Sequence, residues 1–214
     1  MRKLIHLTLS PASRLVRLLV GEKRLTCDPV LSDDALAHLP VFTDLDGTAV
    51  TGLWAIVDHL EGTYPDHPQM PEDPAARGEA LRWLDWTMGP LHDQVTRRIL
   101  FEKGAQRYTG APQRLAPDMN TIRLGREALR GALKTLGDAA EARGNLAARD
   151  CTIADLAAAA HLSALDYFGE VPWTDYPQAA EWYGRIKSRP SFRTLLGDRV
   201  PGQPPTTSYA ELDF

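Results

Sequence analysis

The apolar positions of this chain follow two periods in its first third and only one afterwards. From Leu4 to Leu9, Ile5, Leu7 and Leu9 alternate with His6 and Thr8, which predicts a strand with those three side chains on its buried face. Pro11 then opens a helix. Leu15, Val16, Leu19 and Val20 recur at helical spacing, with Arg14, Arg17 and Lys23 assigned to solvent. A second strand is expected near Leu25 to Val30. Leu39-Pro40-Val41-Phe42-Thr43 and Thr48-Ala49-Val50 flank Asp46-Gly47, a strong hairpin signal, and Leu53, Ile56, Val57 and Leu60 form the next amphipathic helix. The order strand, helix, strand, strand, strand, helix predicts an α/β domain of thioredoxin type over residues 1–64.

Prolines 65, 68, 71 and 74 forbid a continuous helix and mark residues 65–74 as a linker. Beyond them the period is helical throughout, at Leu81, Leu84, Met88 and Leu91, at Ile122, Leu129, Leu133 and Leu136, from Ile153 to Tyr167, and at Ala179, Trp182, Tyr183 and Ile186. Residues 75–197 therefore read as an all-α domain. Gly89-Pro90 bends or interrupts its helix. Thr152-Ile153-Ala154-Asp155 is a capping box with Cys151 and Leu156 as its apolar staple, so Asp155 is a folding residue before anything else. Residues 198–214 differ from what precedes them. Pro201, Gly202, Pro204 and Pro205 suit an extended segment, and Tyr209 to Phe214 place two aromatics among acidic groups. Such a tail either trails free or docks, on its own domain or on a partner.

With 24 lysines and arginines against 28 acidic residues, the formal charge of −4 excludes a general electrostatic attraction to nucleic acid or anionic lipid. His6 and Thr8 interrupt the N-terminal apolar run before it reaches signal-peptide length, and no stretch is long enough to span a bilayer. A cytoplasmic protein is expected. Cys27 and Cys151 form neither a CxxC pair nor a ligand cluster, and both read as small core residues. The histidines show no metal-ligand spacing, and Trp83, Trp86 and Trp182 sit in helical patterns as core or domain-interface residues.

Ser10-Pro11-Ala12-Ser13-Arg14-Leu15-Val16-Arg17 is similar to the SPxSxxVR stretch of serine-type glutathione transferases, and Leu39-Pro40-Val41-Phe42 resembles the VPxL element whose proline is cis. With the capping box at Thr152, these motifs make the whole chain resemble that superfamily. The resemblance implies that Ser10 activates the glutathione thiol and that Leu39, Pro40 and Thr51 contact the tripeptide. Ser10 before Pro11 is also an ordinary helix N-cap, and that role is preferred. Val50-Thr51-Gly52-Leu53-Trp54-Ala55-Ile56 departs from the family, with Gly52 and Leu53 where an acidic residue or Gln and a Ser receive the γ-glutamyl end. The 16 residues between Lys23 and Pro40 are about ten fewer than such transferases carry, which shortens the part that holds the glycyl end.

Val95-Thr96-Arg97-Arg98 with Glu102-Lys103, Ala157 to Tyr167, Gly169-Glu170-Val171-Pro172-Trp173, Lys187 to Arg193, Asp198 to Gly202 and the terminal Tyr209 to Phe214 are similar to a family of FtsZ-binding, transferase-like division proteins of alphaproteobacteria. That likeness implies a non-catalytic homodimer at the division site that binds FtsZ filaments, alters their curvature or bundling and signals toward septal wall synthesis. Arg97 and Arg98 become candidate filament contacts, although an ordinary solvated helix face explains them too. Tyr209, Glu211, Leu212, Asp213 and Phe214 become a peptide for binding a partner, with further division or cell-wall synthesis proteins as its candidates, and its removal over 206–214 is expected to spare folding. No cofactor is implied; glutathione enters only under the alternative, a transferase using Ser10.

Overall fold

A computed structural model describes residues 1–32, 38–104 and 116–211. Four strands, β1 (Arg2–His6), β2 (Cys27–Leu31), β3 (Val41–Thr43) and β4 (Ala49–Thr51), form one sheet in the order β2-β1-β3-β4. β1 runs parallel to β2 and antiparallel to β3, with Leu4 opposite Phe42, and β3 pairs antiparallel with β4. The hairpin between them turns where expected. Asp46 accepts from the Thr48 amide at 2.9 Å, and Gly47 takes a φ of +90° that an L side chain rarely adopts.

Helices α1 (Pro11–Glu22) and α2 (Leu53–Thr63) close one face of the sheet, with Leu4, Phe42, Leu15, Ile56 and Leu60 in the shared core. The face assignment of β1 is the reverse of the expected one. Leu4 and His6 are buried while Ile5 is 36% exposed, because the strand ends at His6 and its inward side is the one that meets α1 and α2. Alternation gives the period of a strand but not its phase.

The remaining chain is helical: α3 (Pro74–Trp86), a π-helical stretch (Thr87–Thr96), α4 (Arg97–Lys103), α5 (Met119–Arg143), α6 (Ile153–Tyr167), α7 (Pro177–Lys187) and α8 (Arg193–Leu196). Pro90 lies inside the π-helical stretch, so the predicted disturbance becomes a widened turn. α6 is the central post, with every residue from Ile153 to Tyr167 buried. Its cap is the box read from sequence: Thr152 Oγ1 accepts from the Ala154 amide at 3.2 Å, and Asp155 Oδ2 accepts from the Thr152 amide at 2.9 Å. The proline-rich segment before α3 is pinned, since Glu61 accepts from the amides of Gln69 and Met70 and the Gln69 carbonyl accepts from the Ile153 amide at 2.8 Å. Trp182 is fully buried and Trp83 is nearly so, while Trp86, Cys27 and Cys151 are half-buried against the core.

Arg14, Arg17 and Lys23 are buried, contrary to the solvent positions expected of them. α1 is wedged between the sheet, α6 and the C-terminal turns, so it has no solvent face to give them. Each finds compensation inside, as buried charges must. Lys23 Nζ pairs with Glu61 at 2.9 Å and donates to the Tyr64 carbonyl at 2.8 Å.

Candidate functional site

The antiparallel pairing of β1, β3 and β4 brings the end of β1, the start of β3 and the end of β4 to one edge of the fold. Ser10, Pro40 and Gly52 follow or precede those strand ends. The Gly52 amide donates to the Pro40 carbonyl at 2.9 Å, and the Leu39-Pro40 bond is cis. Leu39 is half-buried and Thr51 is exposed. Ser10 caps α1 with its side chain accepting from the Ser13 amide at 3.4 Å, and Ser13 Oγ accepts from the Leu7 amide at 3.2 Å. Ser10, cis-Pro40 and Gly52 thus share one edge, with the serine hydroxyl engaged at the helix end.

Polar groups are missing one step away. Gly52 is the N-cap residue of α2 at φ +90°, ψ +151°, and makes no side-chain cap bond; Leu53 follows as the first helical residue. A helix N-terminus offers free amides to an anion, but neither flanking side chain supplies a hydroxyl or a carboxylate. An ammonium brought there from water would find no counter-charge on Gly52 or Leu53, and a buried ammonium left unpaired costs several kcal/mol.

The neighbouring interior is organised around charges that sequence reading missed. Arg14 Nη1 donates to Ser163 Oγ (2.8 Å) and to the Tyr209 hydroxyl (3.0 Å), its Nε donates to the Thr8 carbonyl (2.9 Å), and Nη2 reaches Asp198 at 3.1 Å. Arg17 pairs with the same carboxylate at 2.9 Å and donates to the Thr194 carbonyl. The Tyr209 hydroxyl in turn donates to the Leu195 carbonyl at 2.9 Å, so the tail is tied to α1 and α8. His6 lies beside this cluster, and burial together with the Arg17 charge lowers its pKa to about 4. A sequence signal did exist. Leu15 to Val20 are apolar on every side but Arg17, the mark of a helix covered all round, where an arginine must find partners indoors.

The expected partner-binding residues divide. Tyr209, offered in the sequence reading to a partner, is fully buried in its own chain, where it packs with Tyr167, Val200 and Leu9. Thr206 is fixed by its amide to the Tyr167 carbonyl (3.1 Å) and by its hydroxyl to the Asp166 carbonyl (3.2 Å), so loss of 206–214 removes part of the core rather than a loose end. Glu211 is exposed, and Leu212, Asp213 and Phe214 lie outside the described residues. Arg97 is exposed and pairs with Asp93 at 3.5 Å, while Arg98 is half-buried on α4 where Gly125 of α5 passes close. Among the described residues no group of histidine, cysteine or carboxylate side chains could hold a metal ion, and no helix is long and apolar enough to cross a membrane.

A small mixed sheet with a cis-proline strand start, a serine-capped first helix and an all-helical second half define a protein of the glutathione transferase fold. No protein-family model matches the chain. The chain is 40% identical over 230 aligned positions to FtsZ-localized protein A of Caulobacter vibrioides (strain NA1000 / CB15N), covering all of this chain and 98% of that protein. The solved structure of FzlA from C. crescentus superposes with a TM-score of 0.93 at 39% identity, covering 100% of this chain and 99% of that one. A glutathione S-transferase from Rhodospirillum rubrum F11 is equally similar, with a TM-score of 0.94 at 38% identity over the whole of both chains. The chain belongs to the family of FtsZ-localized protein A, within the glutathione transferase fold.

Proposed function

We propose that this protein is a non-catalytic division factor that binds FtsZ filaments at the division site, changes their curvature or bundling and thereby influences septal constriction. The single observation that carries the non-catalytic part is the N-terminus of α2, where Gly52 and Leu53 present no polar side chain to the charged end of glutathione. The partner is supported by full-length similarity to a relative named for its localisation with FtsZ. A homodimer would present two equivalent surfaces and bridge neighbouring filaments, gaining avidity without stronger single contacts. Arg97 and Arg98 on α4, with Glu211 and the three residues after it, are the contact candidates that remain once Tyr209 is assigned to the interior.

A second reading, a transferase that uses Ser10 to stabilise a thiolate, is favoured by the shared edge of Ser10, cis-Pro40 and Gly52. Two experiments divide them. Calorimetric titration with reduced glutathione and a conjugation assay with a generic electrophile are expected to give no saturable heat and no turnover above background; saturation with turnover abolished by Ser10→Ala would establish the enzyme. Electron microscopy of GTP-polymerised FtsZ is expected to show curved or bundled filaments on adding the protein, and unaltered filaments would refute the curvature role.

A further inference from the structure

An open cleft of about 410 Å³ lies between α2 and the proline-rich segment, within the roughly 300–1,000 Å³ range of ligand-sized clefts. Its apolar wall is made by Trp54, Pro65, Pro68 and Met70. Trp54, Asp58 and Glu61 recur at i, i+4 and i+7 of α2 and so share one face, opposite the buried Ile56 and Leu60. Trp54 leaves 48% of its surface in water, an unusual fate for an indole whose helix has a core to join.

The carboxylates around this indole differ in their duties. Glu61 is committed to Lys23 and to the Gln69 and Met70 amides, so it builds the wall. Asp58 and Glu72 are exposed lining residues whose carboxylates make no ion pair or hydrogen bond with the described residues. Arg77 is the cationic residue of the lining, on the α3 side. The surrounding chain strengthens the bias. From the start of α2 through the proline-rich segment into α3, residues 53 to 80, there are six aspartates and glutamates against the single Arg77, although the whole chain carries only −4. Two bases from outside this segment are committed to its other carboxylates, Lys23 to Glu61 and Arg143 to Glu79. A concave, low-dielectric wall beneath uncompensated negative charge concentrates cations.

We propose that this cleft binds an arginine or lysine side chain presented by a basic segment of a partner polypeptide. The indole face of Trp54 takes the cation, Asp58 and Glu72 hold its charge, and the prolines and Met70 pack the aliphatic stem. Proline and indole surfaces are stiff, so binding orders little of the receptor. The cleft shares no lining residue with the Ser10 edge and does not depend on the FtsZ reading.

The test uses the full chain and a synthetic peptide alternating arginine with glycine, compared with its glutamate counterpart. Tryptophan fluorescence in low salt should change saturably with the arginine peptide and not with the glutamate one, and the signal should vanish in Trp54→Phe if that indole reports it. Affinity should drop about tenfold or more in Asp58→Asn/Glu72→Gln and also on raising salt to about 0.5 M. Both carboxylates are exposed and have no partner among the described residues, so the variant should keep the wild-type circular dichroism and melting curve. Equal affinity in that variant, or equal binding of the glutamate peptide, would overturn the proposal. So would sedimentation showing that Trp54→Ala splits a dimer while no peptide binds, because the cleft would then belong to a second copy of the chain.

Discussion

At φ +90° Gly52 sits where an L residue is strained by about 1–2 kcal/mol, and a Cβ built there would meet no atom within 4 Å. A side chain would therefore be tolerated for space and penalised only by backbone conformation. Under the proposed non-catalytic role no charged ligand is recruited there, and glycine is the relaxed choice. Gly52→Gln is expected to lower stability by about 1 kcal/mol in urea titrations, through backbone strain without a clash. A stabilised variant would show that the side chain finds a partner that glycine lacks. His6 and His161 supply a second prediction. Burial holds their pKa values down to about 4 and about 3, so the native state keeps them neutral. Between these values and 6.5 the unfolded chain binds more protons, and their stabilising contribution, full above 6.5, is lost as pH falls through that window. The buried Asp155 and Asp166 carboxyls, pushed upward by burial, act in the opposite sense. The clean reading is thus a comparison: from pH 6.5 to 5, wild type should lose more stability than His6→Gln/His161→Gln, by up to about 1.4 kcal/mol per pH unit for each histidine. Parallel pH profiles would contradict it.

Helix α6 depends on one carboxylate at its start. Asp155 accepts from the Thr152 and Leu146 amides and from the Trp182 indole, all at 2.9 Å, and thereby ties α6 to the loop after α5 and to α7. Asp155→Ala would strand those three buried donors and the Thr152 hydroxyl, which donates to the same carboxylate at 3.1 Å, and a loss of roughly 3–5 kcal/mol in denaturant unfolding is expected. Thr152→Ala, which removes one cap acceptor, should cost about 1 kcal/mol. Similar costs for the two would mean that the Leu146 and Trp182 bonds carry nothing. This cap was legible because its chemistry is local: four consecutive residues specify it. The hairpin at Asp46-Gly47 and the helical period after Pro74 were legible for the same reason. The burial of Arg14 was not, since its side-chain partners lie 149 to 195 positions away and no short pattern encodes them. The phase of β1 escaped likewise, because which face is inner depends on where α1 and α2 land. At the candidate site, the absence of polar groups at Gly52 and Leu53 could be read from two positions, while the positive φ that makes glycine apt there could not.

The chain as a whole is closed by its own last segment. Tyr209 brings the tail against α1 and α6, and Arg14 and Arg17 share Asp198 beneath it, so residues 198–210 belong to the fold. Removing residues 206–214 is expected to cost roughly 3 kcal/mol, or about 6–12 °C in melting temperature for a chain of this size. Removing only 212–214 should leave the melting curve in place and reveal whether those residues act on a partner. A melting temperature unmoved by the longer deletion would show that Tyr209 is not a brace. In the proposed function, a glutathione transferase fold serves a protein polymer. Co-sedimentation of the purified protein with FtsZ reports on it most directly. The protein should pellet saturably with GTP-polymerised FtsZ and stay in the supernatant with unpolymerised FtsZ. Its remaining in the supernatant with polymer present, at concentrations that fully polymerise FtsZ, would contradict the account.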